Sequence, residues 1–169
     1  MVGNLTVGKE RFAAQEAEVK ELLAQAELAR AELLQLAEDD AKVFDSFMAC
    51  YKLPKATDEE KAARTQAIRM AAKQAAVGPL AIARKALLTL QLADRLVAVG
   101  NPGVITDGAC SALLARAALR CADYNVRINL QLTKDAEYNK AVSRELMAML
   151  EQAALLEARA LQATDAALA

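Results

Sequence analysis

The chain has 169 residues, of which 55% are hydrophobic, six are Gly and three are Pro, and its net charge is −1. Ala and Leu supply much of the apolar content and favour helix, so the composition predicts a single all-helical domain, residues 1–169, rather than a many-stranded fold. The sequence lacks histidine and any block of basic residues, which excludes Ser-His-Asp and Cys-His nucleophile systems and argues against zinc, nucleic-acid and membrane-surface sites.

Two long helices are predicted in the first half of the chain. The first spans about Lys9–Tyr51 and ends before Pro54, because the residue ahead of a proline is driven out of the helical region. The second spans about Thr57–Val99 and opens with a capping box in which Glu60 stands three residues after the threonine. Gly78-Pro79 is predicted to kink this helix, since proline lacks the N–H donor and clashes with the preceding turn.

Two further helices are predicted in the second half. Gly100–Gly103 is a strong turn signal, and Thr106 and Asp107 are N-cap candidates for a third helix that reaches about Leu132. The fourth helix begins near Asp135 and continues almost to the C-terminus. Short connections between long helices predict an up-and-down bundle of antiparallel neighbours, and the length of the apolar stripes predicts a homodimer that buries part of them.

One carboxylate interrupts an apolar stripe of the first helix. The stripe repeats at spacings of three and four residues, as a core seam does: Val19, Leu22, Ala26, Ala29, Leu33, Leu36, Asp40, Val43 and Phe47. Because an unpaired buried carboxylate is costly, Asp40 either turns outward, pairs with an arginine, or lines a pocket in which its pKa is tuned for chemistry. Asp39 points elsewhere and is predicted to be solvated.

The third helix carries a similar predicted core stripe that contains an asparagine. Its members are Leu114, Ala118, Cys121, Asn125, Ile128 and Leu132, and Asn129 lies one turn beyond Asn125. A core asparagine either fixes the register of the helix or serves a site. Arg127 follows Asp123 by four residues, so it either forms an ordinary surface ion pair with Asp123 or binds a ligand carboxylate in a bidentate manner.

Several other features have structural explanations. Asp107 after a turn is well explained as an N-cap, and Lys9 as a solvated charge at a helix start. The fourth helix has an unbroken apolar stripe and is predicted to be structural: Val142, Leu146, Met149, Ala153, Leu156 and Ala160. The cysteines, at positions 50, 110 and 121, lack metal-ligand spacing and are predicted to be small buried hydrophobes. With no secretion signal and no tract near the ~20 apolar residues of a membrane span, the expected compartment is the cytoplasm.

Six phrases occur in order along the chain. They are Met1–Lys9 (MVGNLTVGK), Asp39–Phe44 (DDAKVF), Tyr51–Lys61 (YKLPKATDEEK), Val77–Leu80 (VGPL), Gly100–Asp107 (GNPGVITD) and Asn125–Leu130 (NVRINL). Together they resemble the formiminotetrahydrofolate cyclodeaminase and methenyltetrahydrofolate cyclohydrolase family over nearly all of the chain.

The resemblance implies an all-helical domain that dimerises and acts on the one-carbon bridge of tetrahydrofolate. The family's Asp-Ala-x-x-Phe phrase carries a catalytic aspartate, which here is Asp40, and Asp107 is the second catalytic candidate. The candidates for binding the pterin or the acidic glutamyl tail come from the first and last phrases: Asn4, Thr6, Lys9, Asn125, Arg127 and Asn129. No metal, and no cofactor beyond the tetrahydrofolate carrier, is implied.

The resemblance leaves three functions open. Cyclohydrolases add water to 5,10-methenyltetrahydrofolate and open it to 10-formyltetrahydrofolate, whereas cyclodeaminases close formiminotetrahydrofolate to the methenyl form and release ammonia. The chain carries no transferase domain that would make formimino-folate, which favours the cyclohydrolase reaction. Family members usually have a Gly-rich N-terminal segment with a Pro-Gly-Gly-Gly-Ser stretch, and this chain begins after it. The third function is therefore a helical interaction module without catalysis.

Overall fold

The computed structural model describes all residues from 1 to 169 and contains four long α-helices without a strand. The helices are α1 (Glu16–Cys50), α2 (Asp58–Val99), α3 (Ile105–Thr133) and α4 (Ala136–Leu168), and short 3-10 segments lie at Gly3–Leu5, Glu10–Gln15 and Pro102–Val104. The predicted all-α class and the number of long helices are confirmed.

The starts of α2 and α4 are fixed by the side chains that the sequence indicated. The Glu60 N–H donates to Thr57 Oγ1 at 3.2 Å, and the Thr57 N–H donates back to the Glu60 carboxylate at 3.2 Å. At the start of α4, the Tyr138 N–H donates to Asp135 Oδ1 at 3.0 Å. Both caps satisfy amide groups that the first turn of a helix leaves without partners.

The start of α3 differs from the prediction that Thr106 or Asp107 caps it. The helix begins at Ile105, so both candidates lie inside it, and its N-cap, Val104, makes no side-chain cap. Asn101 instead caps the preceding 3-10 turn, where its Oδ1 accepts from the Gly103 N–H at 3.0 Å. Asp107 lies inside the first turn of α3, where a carboxylate interacts favourably with the helix dipole.

The first helix also begins later than predicted. A 3-10 segment occupies Glu10–Gln15, and Phe12 within it has non-helical angles (φ −118°, ψ 16°), so α1 starts only at Glu16. The α-helical backbone of α2, by contrast, continues through Pro79 without a break. The kink at this proline stays a prediction.

The core is built around α2, which packs against each of the other three helices. Every member of the predicted stripe of α4 is buried, which confirms its structural role. On α3 the buried face consists mainly of small and branched side chains: Ala112, Ala115, Leu119, Ala122, Val126 and Leu130. On α1 only Val19, Ala29 and Phe47 of the predicted seam are fully buried, because α1 packs chiefly against α2 alone.

The predicted core stripe of α3 is wrong. Leu114 is 72% exposed and Ile128 is 57% exposed, and Cys121 and Asn125 on the same face are exposed as well. The helix has two apolar faces, and periodicity alone does not decide which one meets α2. The same finding overturns the prediction of buried cysteines, since two of the three are exposed and the third is half-buried.

One helix, α2, is long and apolar enough to cross a membrane by length and composition. Its central position explains the apolar character equally well, because it contributes the largest set of side chains to the core. The expectation that no segment spans a membrane stays a prediction.

Candidate active site

A cavity of about 280 Å³ opens between α1, α2 and α3 beside the aspartate that interrupts the α1 seam. Its polar lining consists of Asp40, Asn125 and Asn129. The remaining walls are apolar: Val43, Phe44, Phe47, Ala75, Pro79, Ile128 and Leu132. Three residues predicted from the sequence, on two different helices, are thus brought to one place.

Asp40 lies against the backbone of α2 at a glycine. A Cβ placed on Gly78 would be only 2.8 Å from Asp40 Oδ1, so any larger residue would displace the carboxylate. Asp40 is half-buried and lines the cavity without an ion-pair partner. Asp39 is exposed and pairs with Lys42 at 2.8 Å, and this hydrogen bond lowers the pKa of Asp39. The two neighbouring carboxylates therefore have different surroundings, as the seam pattern predicted.

The two asparagines have their amide nitrogens engaged within the protein. Asn129 Nδ2 donates to the Ala75 carbonyl oxygen at 3.1 Å and to the Asn125 carbonyl oxygen at 2.9 Å. Asn125 Nδ2 donates to the Cys121 carbonyl oxygen at 3.2 Å. Since the Asn129 amide has only two hydrogens, what it can offer to a ligand is the oxygen Oδ1. The polar lining of the cavity is consequently rich in acceptors.

Arg127 stands outside this lining. Its Nη1 lies 3.6 Å from Asp123 Oδ2, and the arginine side chain is 63% exposed while the aspartate is buried. The geometry matches the ordinary ion pair that the spacing of four residues predicted. A role for Arg127 in binding substrate stays a prediction.

The N-terminal candidates lie at the turn between α2 and α3. Thr6 is buried, donates its hydroxyl to the Val2 carbonyl oxygen at 2.8 Å and accepts from the Asn101 N–H at 2.8 Å. It thereby fastens the start of the chain to the turn. Asn4 and Lys9 are exposed nearby, and Lys9 is the N-cap of the 3-10 segment that precedes α1. Binding of substrate by these three residues stays a prediction.

Asp107 lines a second, larger cavity of about 620 Å³ at this end of the molecule. Its walls are mainly apolar, and its other polar groups include Arg30, Thr89 and Ser111. Along α3, Asp107 and Asn125 are roughly 27 Å apart at about 1.5 Å per residue. The two catalytic candidates, Asp40 and Asp107, are therefore not brought together within one chain.

Sequence reasoning missed part of the Asp40 cavity. It interpreted Gly78-Pro79 as a kink and as part of a family phrase, although Pro79 lines the cavity and Gly78 lies against Asp40. A glycine inside a helix is unfavourable by about 1 kcal/mol relative to alanine, and that cost is a signal that something lies close to the backbone there. Nothing comparable in the sequence indicated that Arg30 and Ser111 would line the other cavity.

The Asp40 cavity has the chemistry of a site for a cationic ligand. A carboxylate and the acceptor oxygens of asparagines stabilise positive charge, and apolar walls strengthen that interaction by excluding water. A carboxylate in such a cavity can also remove a proton from a water molecule, as a general base. This chemistry uses only residue types that the chain contains.

Comparison with known proteins connects this geometry to a family. The family model described as formiminotransferase-cyclodeaminase matches residues 1–148. A methenyltetrahydrofolate cyclohydrolase of Methylorubrum extorquens is 39% identical over 159 residues, which cover 94% of this chain and 76% of that protein. A formimidoyltransferase-cyclodeaminase of Sus scrofa is 29% identical over 153 residues, and the match spans only 28% of that protein.

The fold is also that of a solved relative. The crystal structure of a formiminotetrahydrofolate cyclodeaminase from Thermotoga maritima superposes with a TM-score of 0.88 at 25% identity, over 100% of this chain and 80% of that one. The sequence resemblance, carried by six short phrases, is confirmed by the match of the family model to most of the chain. The protein belongs to the formiminotransferase-cyclodeaminase family.

Proposed function

We propose that this protein is a folate one-carbon enzyme that hydrolyses 5,10-methenyltetrahydrofolate to 10-formyltetrahydrofolate. The observation that carries the proposal is the carboxylate of Asp40, which lines an acceptor-rich, apolar-walled cavity without an ion-pair partner. Among the relatives, the cyclohydrolase of Methylorubrum extorquens has the higher identity, 39% against 29% for the Sus scrofa cyclodeaminase, which favours hydrolysis over deamination.

The proposed reaction begins with a cation. The methenyl carbon bridges N5 and N10 of the folate and shares a positive charge with both nitrogens, which Asp40 stabilises through space. Asp40 then accepts a proton from water as the water oxygen bonds to the methenyl carbon. The carbon–N5 bond breaks and leaves the formyl group on N10. One proton of the water ends on N5, and the other is released to solvent.

The walls of the cavity suit a flat heteroaromatic substrate. Phe44 and Phe47 from α1 face Ile128 and Leu132 from α3 across the opening. Apolar walls lower the local dielectric, so the attraction between the carboxylate and the cation is stronger there than in bulk water. We assign Asn125 Oδ1 and Asn129 Oδ1 to accept hydrogen bonds from N–H groups of the pterin, since both amide nitrogens already donate to backbone carbonyls.

We propose that the protein works as a homodimer, and that the remaining candidate residues contribute to a site formed in that dimer. The exposed apolar face of α3 around Leu114 and Ile128 is the surface that a second copy would cover. Asp107 lines the larger cavity, and Asn4 and Lys9 are exposed near the α2–α3 turn at the same end of the molecule, so within this proposal they act on a folate that extends from a site shared by two copies. Thr6, which is buried, contributes by fastening that turn. Tetrahydrofolate is the only carrier the proposal requires, and the cytoplasm is its compartment.

The second candidate function is cyclodeamination, favoured by the fold shared with the Thermotoga maritima cyclodeaminase. In that reaction N10 attacks the formimino carbon and the bond from this carbon to the formimino nitrogen breaks. The N10 proton and one further proton leave with that nitrogen as ammonia. Asp40 would carry the proton between the two nitrogens.

Absorbance spectroscopy separates these functions. The near-ultraviolet absorbance of 5,10-methenyltetrahydrofolate should fall faster with the protein than with buffer, and faster than with the Asp40→Asn variant. Formation of the same absorbance from 5-formiminotetrahydrofolate, with ammonia release, would establish the cyclodeaminase instead. If neither signal exceeds the buffer rate, the enzyme proposal fails and the non-catalytic interaction module is the better description.

A further inference from the structure

The helical hydrogen bonding of α2 has a gap at the wall of the Asp40 cavity. In an α-helix, the carbonyl of each residue accepts the N–H of the residue four positions later. Position 79 is proline and has no N–H, so the carbonyl of Ala75 has no helical partner from that position. Ala75 is itself buried, where an unsatisfied carbonyl is costly.

A side chain from the neighbouring helix fills this gap. Asn129 of α3 donates its Nδ2 to the Ala75 carbonyl oxygen at 3.1 Å, and its second hydrogen goes to the Asn125 carbonyl oxygen at 2.9 Å. The amide is thus held at two points, one on each helix. Its orientation is fixed with Oδ1 as the free acceptor, and Asn129 lines the cavity that contains Asp40.

Gly78, the residue before Pro79, also shapes the Asp40 cavity. Gly78 leaves the space that Asp40 Oδ1 occupies, since a Cβ there would lie 2.8 Å from that oxygen. The Gly78-Pro79 pair therefore arranges both sides of the site: the glycine admits the carboxylate, and the proline releases the carbonyl that holds Asn129. If the only effect of the proline were to bend α2, the change in kcat on replacing Pro79 would be independent of Asn129.

We propose that Pro79 is a positioning residue: because it has no N–H, the Ala75 carbonyl is left to accept from Asn129 and holds that side chain as a fixed acceptor beside Asp40. This inference rests on the proposed folate reaction for its kinetic consequence, whereas the exchange of hydrogen-bond partners is independent of any reaction. Replacing the proline with alanine supplies an N–H to the Ala75 carbonyl. The new backbone N–H then competes with the Asn129 amide for the Ala75 carbonyl oxygen, and the Asn129 side chain becomes free to rotate.

The experiment uses the full chain with Pro79→Ala, Asn129→Ala, the double variant, and Pro54→Ala as the matched control in the exposed α1–α2 connection. Turnover of 5,10-methenyltetrahydrofolate and thermal unfolding are measured for each. Pro79→Ala should keep or raise Tm, because a helix interior gains a hydrogen bond, while kcat falls by roughly ten- to hundredfold from misplaced groups. Pro54→Ala should leave kcat at the wild-type value.

The double variant tests whether the two residues act together. Its kcat should be no lower than that of Asn129→Ala alone, since Pro79 acts through Asn129. Asn129→Ala should lower Tm in the wild-type background, where the Ala75 carbonyl is left unpaired, and should lower it less beside Pro79→Ala.

Two results would overturn the positioning role. One is Pro79→Ala with kcat within roughly twofold of the wild type. The other is an equal loss of Tm from Asn129→Ala in both backgrounds, which would show that the N–H supplied at position 79 by Pro79→Ala and the Asn129 amide do not compete. If the wild-type protein has no folate turnover, the proposed function fails, and the unfolding measurements alone decide whether the partner exchange exists.

Discussion

Asp40 and Asp39 are adjacent in sequence and differ in surroundings, which makes them a matched pair for testing the proposed chemistry. Asp40 lines the cavity beside Gly78, whereas Asp39 is exposed and bonded to Lys42 and Gln35. Asp40→Asn removes a half-buried charge that has no ion-pair partner, so Tm should hold or rise. Turnover should fall by roughly 10²–10⁴, the contribution of a catalytic acid or base.

Asp39→Asn makes the same chemical change on another face of α1. It should leave turnover near the wild-type value and change Tm little, because exposed ion pairs contribute little to stability. Hydrolysis of methenyltetrahydrofolate and thermal unfolding are measured for both variants. Equal, near wild-type activity of the two would show that Asp40 is not the catalytic carboxylate.

Gly78 gives a second prediction at the scale of one residue. Gly78→Ala should favour the helix by about 1 kcal/mol through propensity, yet its Cβ would meet Asp40 Oδ1 at 2.8 Å and push the carboxylate aside. We therefore expect unchanged or higher Tm together with a clear loss of kcat. Val77→Ala, at the exposed neighbouring position of α2, is the control and should change neither value substantially. A Gly78→Ala enzyme with full activity would show that the close approach has no functional role.

At the scale of elements, ion pairs join the helices at their exposed edges. Arg84 of α2 donates to both carboxylate oxygens of Glu145 on α4, at 2.5 and 2.9 Å, and this hydrogen bonding lowers the pKa of Glu145. A carboxylate with a lowered folded-state pKa stabilises the protein above its unfolded pKa of about 4.3, and the stabilisation is lost as pH falls through the folded value.

Glu145→Gln should therefore reduce stability at pH 7 by at most about 1 kcal/mol, since the pair is partly exposed. The difference in Tm from the wild type should shrink as the pH is lowered from 7 through the depressed pKa of Glu145 in the folded protein, and should vanish below that pKa, where the carboxylate is protonated. Glu151→Gln, at an exposed position of the same helix, is the control. A difference between wild type and Glu145→Gln that stays constant over this pH range would contradict the assignment.

The elements were largely predictable because local signals determine them. The capping box at Thr57, the cap at Asp135 and the stop before Pro54 are short-range features, and all three helix boundaries lie within a residue or so of prediction. The start of α1 was not predictable in this way. Residues 10–15 have a composition compatible with α-helix, but the attachment of the N-terminal segment to Asn101 selects a tighter turn there.

The site was only partly predictable, for a related reason. Asp40 was identified because a charge on an apolar seam is unusual, and its position beside a cavity agrees with that argument. The bond from Asn129 to the Ala75 carbonyl joins two helices, and no spacing along one helix indicates it. The prediction of the buried face of α3 was wrong for a similar reason. The helix has two apolar faces, and the spacing of apolar residues is the same on both, so it does not show which face is buried.

At the scale of the whole molecule, the two cavities lie on the same side of the bundle, between α1 and α3 with α2 as the floor. We call this side the groove; the Asp107 cavity lies at one end of it and the Asp40 cavity at the other. Leu34 and Leu114, both largely exposed, stand along its rim. A self-complementary contact of two chains along this groove would cover these side chains and bring one end of each groove towards the other end of its partner.

The proposed dimer gives the last prediction, for which two exposed leucines provide a matched pair. Leu114 on α3 is 72% exposed and Leu155 on α4 is 73% exposed, so a glutamate at either position should be tolerated by the folded monomer. If the α3 face is the interface, Leu114→Glu places an unpaired charge in a contact that excludes water and should dissociate the dimer.

Light scattering during gel filtration measures the outcome. The wild type and Leu155→Glu should elute with about twice the 18.1 kDa chain mass at micromolar concentration, whereas Leu114→Glu should elute at the mass of one chain. Because Asp107 and Asp40 lie at opposite ends of one chain's groove, a site shared between copies requires turnover to fall together with dimer content. A monomeric wild type that turns over folate, or a Leu114→Glu monomer with full activity, would show that each chain carries a complete site and that the site is not shared between copies.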